Sequence, residues 1–158
     1  MKRALLIGGI AFVAILGLIQ LIPFRVTNPS ARNEPKWDSP QTLALAKTAC
    51  FDCHSNQTRS YWYEKIAPVS WWIKHHVDEG RARLNFDEWQ PGTGAGGGRA
   101  ARTIERGSMP PSFYHWFGLH SNAKLTPQQQ QQLANGLEAT LGAGGFDQGR
   151  REGRTSGE

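Results

Sequence analysis

The run Cys50-Phe51-Asp52-Cys53-His54 limits what this chain can become more than any other stretch. Two thiols three residues apart, with a histidine four residues after the first, fall on one side of a helical turn. Cys-x-x-Cys-His is the pattern by which a c-type haem is attached. Each thiol can add across one vinyl group of the same porphyrin, and the imidazole can reach the iron from that side. Cys50 and Cys53 are the two cysteines of the chain, so the motif uses both. Rival chemistries fit less well. A thiol–disulfide pair sits at a strand-to-helix junction of a βαβ pattern, and none surrounds Cys50. A structural zinc ion needs a second ligand pair at metal spacing, whereas His75 and His76 are adjacent. A chance match of a short pattern is the third rival, and the export signal upstream weighs against it.

That signal is Ala4 to Ile22, an uncharged run of 19 residues with Gln20 as its one clearly polar member. As a helix it reaches about 28 Å, close to the hydrocarbon thickness of a bilayer. It ends in Leu21-Ile22-Pro23-Phe24-Arg25 without a small-residue cleavage site, so an uncleaved anchor over residues 1–25 is expected. Lys2 and Arg3 precede the run and favour a cytoplasmic N-terminus. The rest of the chain is then expected outside the cytoplasm, in the periplasm or beyond, where c-type haem is attached in bacteria. The net charge of +5 does not argue for nucleic acid. Removing Lys2, Arg3 and Arg25 from the 18 basic residues leaves 15 against 13 acids. Two haem propionates would roughly cancel that remainder, and no dense basic patch is present.

Residues 26–39 read as a linker, interrupted by Pro29 and Pro35 and without an apolar period. Residues 40–142 read as the folded domain. Ser39-Pro40 is a helix cap followed by proline at the first helical position, so a helix over Pro40 to Cys50 delivers the motif at its end. Pro68 opens a second helix over about Val69 to Arg83, and Leu84 to Trp89 is a connector that can bury Leu84, Phe86 and Trp89. Gly92, Gly94 and Gly97 satisfy G-x-G-x-x-G, but no apolar strand precedes them and no ribose-binding acid follows in a βαβ unit. A flexible loop over Pro91 to Gly98 is expected instead. Arg99 to Arg106 forms a short helix ended by Gly107, with Arg99, Arg102 and Arg106 on a solvated side or near propionates. Thr126-Pro127-Gln128-Gln129 starts a terminal helix with Leu133, Leu137 and Leu141 at four-residue spacing. Residues 143–158 are expected to be a disordered tail.

Haem iron needs a second axial partner or keeps an open position. Met109 sits in Gly107-Ser108-Met109-Pro110-Pro111, a proline-stiffened turn that can hold a thioether against iron and raise its potential. A gap-filling methionine is the plainer role. His75, His76, His115 and His120 are rival ligands, with His120 foremost because it lies between Met109 and the last helix.

The chain resembles a family of small haem-binding-domain proteins related to cytochrome c. The similarity covers roughly Cys50 to Leu141. It is carried by the motif with Ser55-Asn56, Trp62-Tyr63, Ile66-Ala67-Pro68-Val69-Ser70-Trp71-Trp72, His76-Val77, Gly80-Arg81 and Leu84-Asn85-Phe86 with Trp89. It continues through Met109-Pro110-Pro111, Tyr114, His120 and Leu125-Thr126. The chain departs from the family at Ser60-Tyr61, in a longer Tyr114 to His120 segment, and at Ser121. The resemblance implies an all-α, cytochrome c-like haem domain on one N-terminal transmembrane helix. It implies that Cys50 and Cys53 bind one covalent haem c, that His54 is the proximal iron ligand and that Met109 is the distal candidate. One-electron transfer with membrane-bound redox partner proteins is the expected function, rather than catalysis. The alternatives are a haem enzyme or sensor with an exchangeable sixth ligand, and a haem-free structural or thiol protein. Six tryptophans are many for 158 residues; most are expected as pocket walls and core, with one or two at a docking surface.

Overall fold

The computed structural model describes residues 1–91 and 96–142. Most of the glycine loop and the expected tail, 143–158, lie outside the described residues. Six α-helices follow in order: α1 Lys2–Ile19, α2 Pro40–Ala49, α3 Phe51–His54, α4 Val69–Arg83, α5 Gly97–Glu105 and α6 Pro127–Leu141. Short 3-10 turns cover Trp62–Lys65, Ser112–Gly118 and Ser121–Ala123. Among the described residues there is no strand, only an isolated bridge between Asn33 and Glu88. The all-α expectation therefore holds.

Local chemistry sets the helix ends. The Ser39 hydroxyl accepts the Thr42 amide at the start of α2, with Pro40 at the first position. Thr126 and Gln129 make a reciprocal capping box at the start of α6. The helix expected from Arg99 begins two residues earlier, at Gly97, because α5 packs directly on α6. A Cβ at Gly97 would lie 2.7 Å from the Glu138 Cα and 2.9 Å from the Gly142 carbonyl. The α6 helix crosses α2 as tightly: a Cβ at Gly136 would lie 2.6 Å from Thr42 Cγ2.

The core is one cluster between these helices. It joins Ala46, Phe51, Phe86, Ala100, Ile104, Leu125, Leu133, Leu137 and Leu141. Of the expected connector residues, Leu84 and Phe86 are buried and Trp89 packs at the edge. Trp37, before α2, packs against Phe51 and Phe86 with ring centroids 6.0 and 5.2 Å away.

Two features depart from the expected free linker. The Arg32 and Asn33 amides donate to the Asp87 carbonyl at 2.8 and 3.0 Å. Arg81 Nη1 donates to the Thr27 carbonyl at 2.7 Å, and Asn28 bonds Thr58 in both directions. Residues 27–33 are thus strapped to the domain. The bonds use the backbones of Asp87, Thr58 and Thr27, partly through the Asn28 and Arg81 side chains.

The α1 helix is apolar and solvent-exposed along its length, and among the described helices it alone is long and apolar enough to cross a membrane.

The Gly136–Thr42 crossing makes a stability prediction. Alanine in a helix gains about 1 kcal/mol over glycine, but here it must displace a buried, β-branched Thr42 at a cost of about 1–3 kcal/mol. Gly136→Ala should therefore destabilise the domain in urea melts, and Thr42→Ala should rescue it. A Gly136→Ala chain more stable than wild type would refute the packing.

Candidate functional site

The five motif residues separate by direction. Cys50 ends α2 and starts α3, with its amide on the Ala46 carbonyl at 2.8 Å and its carbonyl accepting from the His54 amide at 2.9 Å. Phe51 turns into the core and stacks on Phe86, centroids 5.4 Å apart. Asp52 turns into a polar network. Cys50, Cys53 and His54 line a cavity of about 720 Å³, which Asp52 also borders. That size falls within the range of small-molecule and cofactor sites, about 300–1,000 Å³.

The segment after α4 fixes the histidine. His54 Nδ1 lies 3.0 Å from the Leu84 carbonyl, which can only accept. Nδ1 is therefore the protonated nitrogen, and Nε2 keeps its lone pair for a metal. Burial lowers the His54 pKa, partly opposed by the Leu84 and Gly80 carbonyls, so the ring is held neutral. The Phe86 amide donates to the His54 carbonyl at 2.8 Å and closes the same wall. Gly80 brings α4 against the motif: a Cβ there would collide with the Cys53 carbonyl and approach its Cβ at 3.2 Å.

The two thiols are free of a disulfide. Burial, then the neighbouring Cys53, pushes Cys50 up to about 12. Burial, then Asp52 and Glu64, pushes Cys53 up to about 11 against the pull of Arg81. Redox Cys-x-x-Cys pairs have the opposite property, a thiolate stabilised near or below neutral pH. The pair is poorly built for disulfide exchange. No group of three or more metal-binding side chains lies together among the described residues, so a zinc cage has no support there.

A further stretch of the wall comes from the chain after α5. The Ser108 and Met109 amides both donate to the Thr103 carbonyl, at 3.0 and 3.2 Å, which docks the turn on the end of α5. Met109, Pro110, Pro111, Phe113 and Tyr114 line the cavity. Met109 remains 37% exposed.

The histidines divide. His75 and His76 also border the cavity, and His76 Nδ1 bonds the Trp72 carbonyl at 2.8 Å. His120, the rival favoured by position, is engaged elsewhere. Its Nε2 shares a hydrogen bond with the Tyr63 hydroxyl at 2.7 Å, and its ring stacks on Tyr114 at 4.1 Å. Of the three arginines expected on one side of α5, Arg99 borders the cavity and all three are exposed.

Sequence reasoning passed over Asp52. Its buried carboxylate takes Arg59 Nε at 3.0 Å, Arg59 Nη2 at 2.8 Å, the Arg59 amide at 3.1 Å and the Tyr114 hydroxyl at 2.5 Å. It thereby ties the motif turn to the segment five residues after Met109. An acid between two cysteines, in a turn whose other residues face inward, was the available signal.

This clasp makes a pH prediction. Burial, then the bond to Asp52, raises the Tyr114 pKa well above its ordinary value of about 10. A raised folded pKa gives stability that is present below pH 10 and lost as pH climbs beyond it. Tyr114→Phe should cost about 1–2 kcal/mol at neutral pH and flatten that alkaline loss. An unchanged alkaline slope in chemical denaturation would refute the clasp.

A sequence model of one family, described as a haem-binding domain, matches residues 14–139. No curated protein and no solved structure matches the chain. The match runs from the second half of α1 almost to the end of α6 and takes in every wall of the cavity. With two thiols and a tautomer-fixed imidazole on one wall, the donor set fits haem, and the chain belongs to the haem-binding domain family.

Proposed function

We propose that this protein is a membrane-anchored monohaem c-type cytochrome that passes single electrons on the extracytoplasmic side of the inner membrane. The observation that carries the reading is the convergence of Cys50, Cys53, His54 and Met109 on one cavity, although Met109 lies far along the chain from the motif. Haem bound there supplies a ferric/ferrous couple. Cys50 and Cys53 would hold it covalently as one haem c, His54 would be the proximal ligand through Nε2, and Met109 the distal one. A thioether partner favours the reduced metal and raises the potential. Phe113, Tyr114, Pro110 and Pro111 narrow the space for water around the ligands. Arg99 at the border offers a cation for a propionate.

The orientation follows from α1. Lys2 and Arg3, its first two residues, favour a cytoplasmic N-terminal end, which puts the domain on the other side. Membrane dehydrogenases or oxidases are the chemical class of redox partner that a domain held there would meet.

A second reading, a haem enzyme or gas sensor with an exchangeable sixth ligand, draws on the partial exposure of Met109 and on His75 and His76 bordering the same cavity.

Absorption spectra of the exported, matured protein separate the two. The carrier reading expects a low-spin ferric protein with a methionine–iron charge-transfer band that vanishes in Met109→Ala. A high-spin ferric spectrum with rapid cyanide binding in the wild type would overturn it in favour of the second reading.

A further inference from the structure

The end of α1 is hydrogen-bonded to the domain. Ala67 N donates to Gln20 Oε1 at 2.9 Å, and Gln20 Nε2 returns a bond to the Ala67 carbonyl at 3.1 Å. Gln20 is the cap residue of α1. A helix of 18 residues is about 27 Å long, near the thickness of the hydrocarbon layer. If α1 spans, Gln20 sits at one edge of that layer, and its two bonds hold Ala67 at the same depth.

What surrounds Ala67 suits that depth. Ala67 is buried, but Trp62, Ile66 and Val69 beside it are 74%, 45% and 42% exposed. Lys65 is exposed among them. Tryptophan and lysine next to aliphatic side chains match the headgroup zone, where an amphipathic indole is favoured and an ammonium reaches lipid phosphate. A second contact pins the same junction: Lys74 Nζ lies 4.9 Å over the Phe24 ring, four residues beyond Gln20. The strapping of residues 27–33 removes the slack that would let the domain swing away.

From these contacts we infer that the domain lies against the bilayer through Trp62, Ile66 and Val69, in a fixed orientation set by the Gln20–Ala67 clasp. The partner of this face is lipid, continuous with the surface of α1. The inference rests on reading α1 as a membrane span and goes beyond it, since a span alone permits a domain that stands clear on a linker.

The test uses the full-length chain labelled with 5-fluorotryptophan, in nanodiscs of phosphatidylcholine and phosphatidylglycerol. Trp62→Phe identifies the Trp62 fluorine line. A gadolinium-chelating lipid should broaden that line several-fold more than the line of Trp37, which packs in the core, and Gln20→Ala should largely remove the difference. A Trp62 line broadened by a soluble gadolinium chelate but not by the lipid would overturn the inference, with the domain standing off the membrane. A line sharp under both reagents would overturn it too, with protein covering the face. Unchanged lipid broadening in Gln20→Ala would overturn the clasp. Vesicle flotation separates these from failure of the membrane reading itself: a chain that does not float with lipid removes both.

Discussion

The stacking of Phe51 on Phe86 is the contact on which the rest of the molecule depends. Burying such a ring contributes about 2–3 kcal/mol, and its placement matters more than its size. With Phe51 committed to the core, the short turn of α3 has a defined rotation. Asp52 must then face Arg59 and Tyr114, and Cys50, Cys53 and His54 must face the cavity. The same core ring, Phe86, carries the backbone amide that closes on the His54 carbonyl, two residues after the Leu84 carbonyl that sets the imidazole tautomer. Core packing and ligand chemistry are thus one arrangement.

The Met109 side of the cavity is positioned by a chain of close helix crossings. The α2 helix meets α6 at Thr42 and Gly136, α6 meets α5 at Leu137 and Gly97, and the end of α5 carries the Met109 turn. Asp52 and Tyr114 then close the ring from the motif back to that turn. Each crossing uses a glycine where a methyl group would force the helices apart, so the Met109 turn is placed by helix packing.

Much of this was legible in the chain because it is local. Ser39-Pro40 and Thr126 with Gln129 announce their helices, and Val69 to Arg83 matches its helix end for end. The motif, the connector's inward residues and the Met109 turn were equally readable. What was not legible depends on partners distant in sequence. Nothing around Arg32 or Asn33 reveals that Asp87 accepts their amides, so a strapped segment reads as a loose one. Gly97 looks like part of a flexible loop until the Leu137 turn of α6 lies beside it. His120 stands at the right place in the chain for a ligand, and its engagement with Tyr63 and Tyr114 comes only from the folded arrangement. Asp52 stands inside the motif, but its partners, Arg59 and Tyr114, stand outside it.

On the proposed function, the turn at residues 50–54 carries a covalently joined haem. Intact-mass spectrometry of the denatured protein, purified after export in a host with the haem-attachment machinery, tests it most directly. The expected result is a chain heavier by the mass of one haem, an increment lost when Cys50 and Cys53 are both changed to serine. A denatured wild-type chain at its unmodified mass, with both thiols open to alkylation, would contradict it.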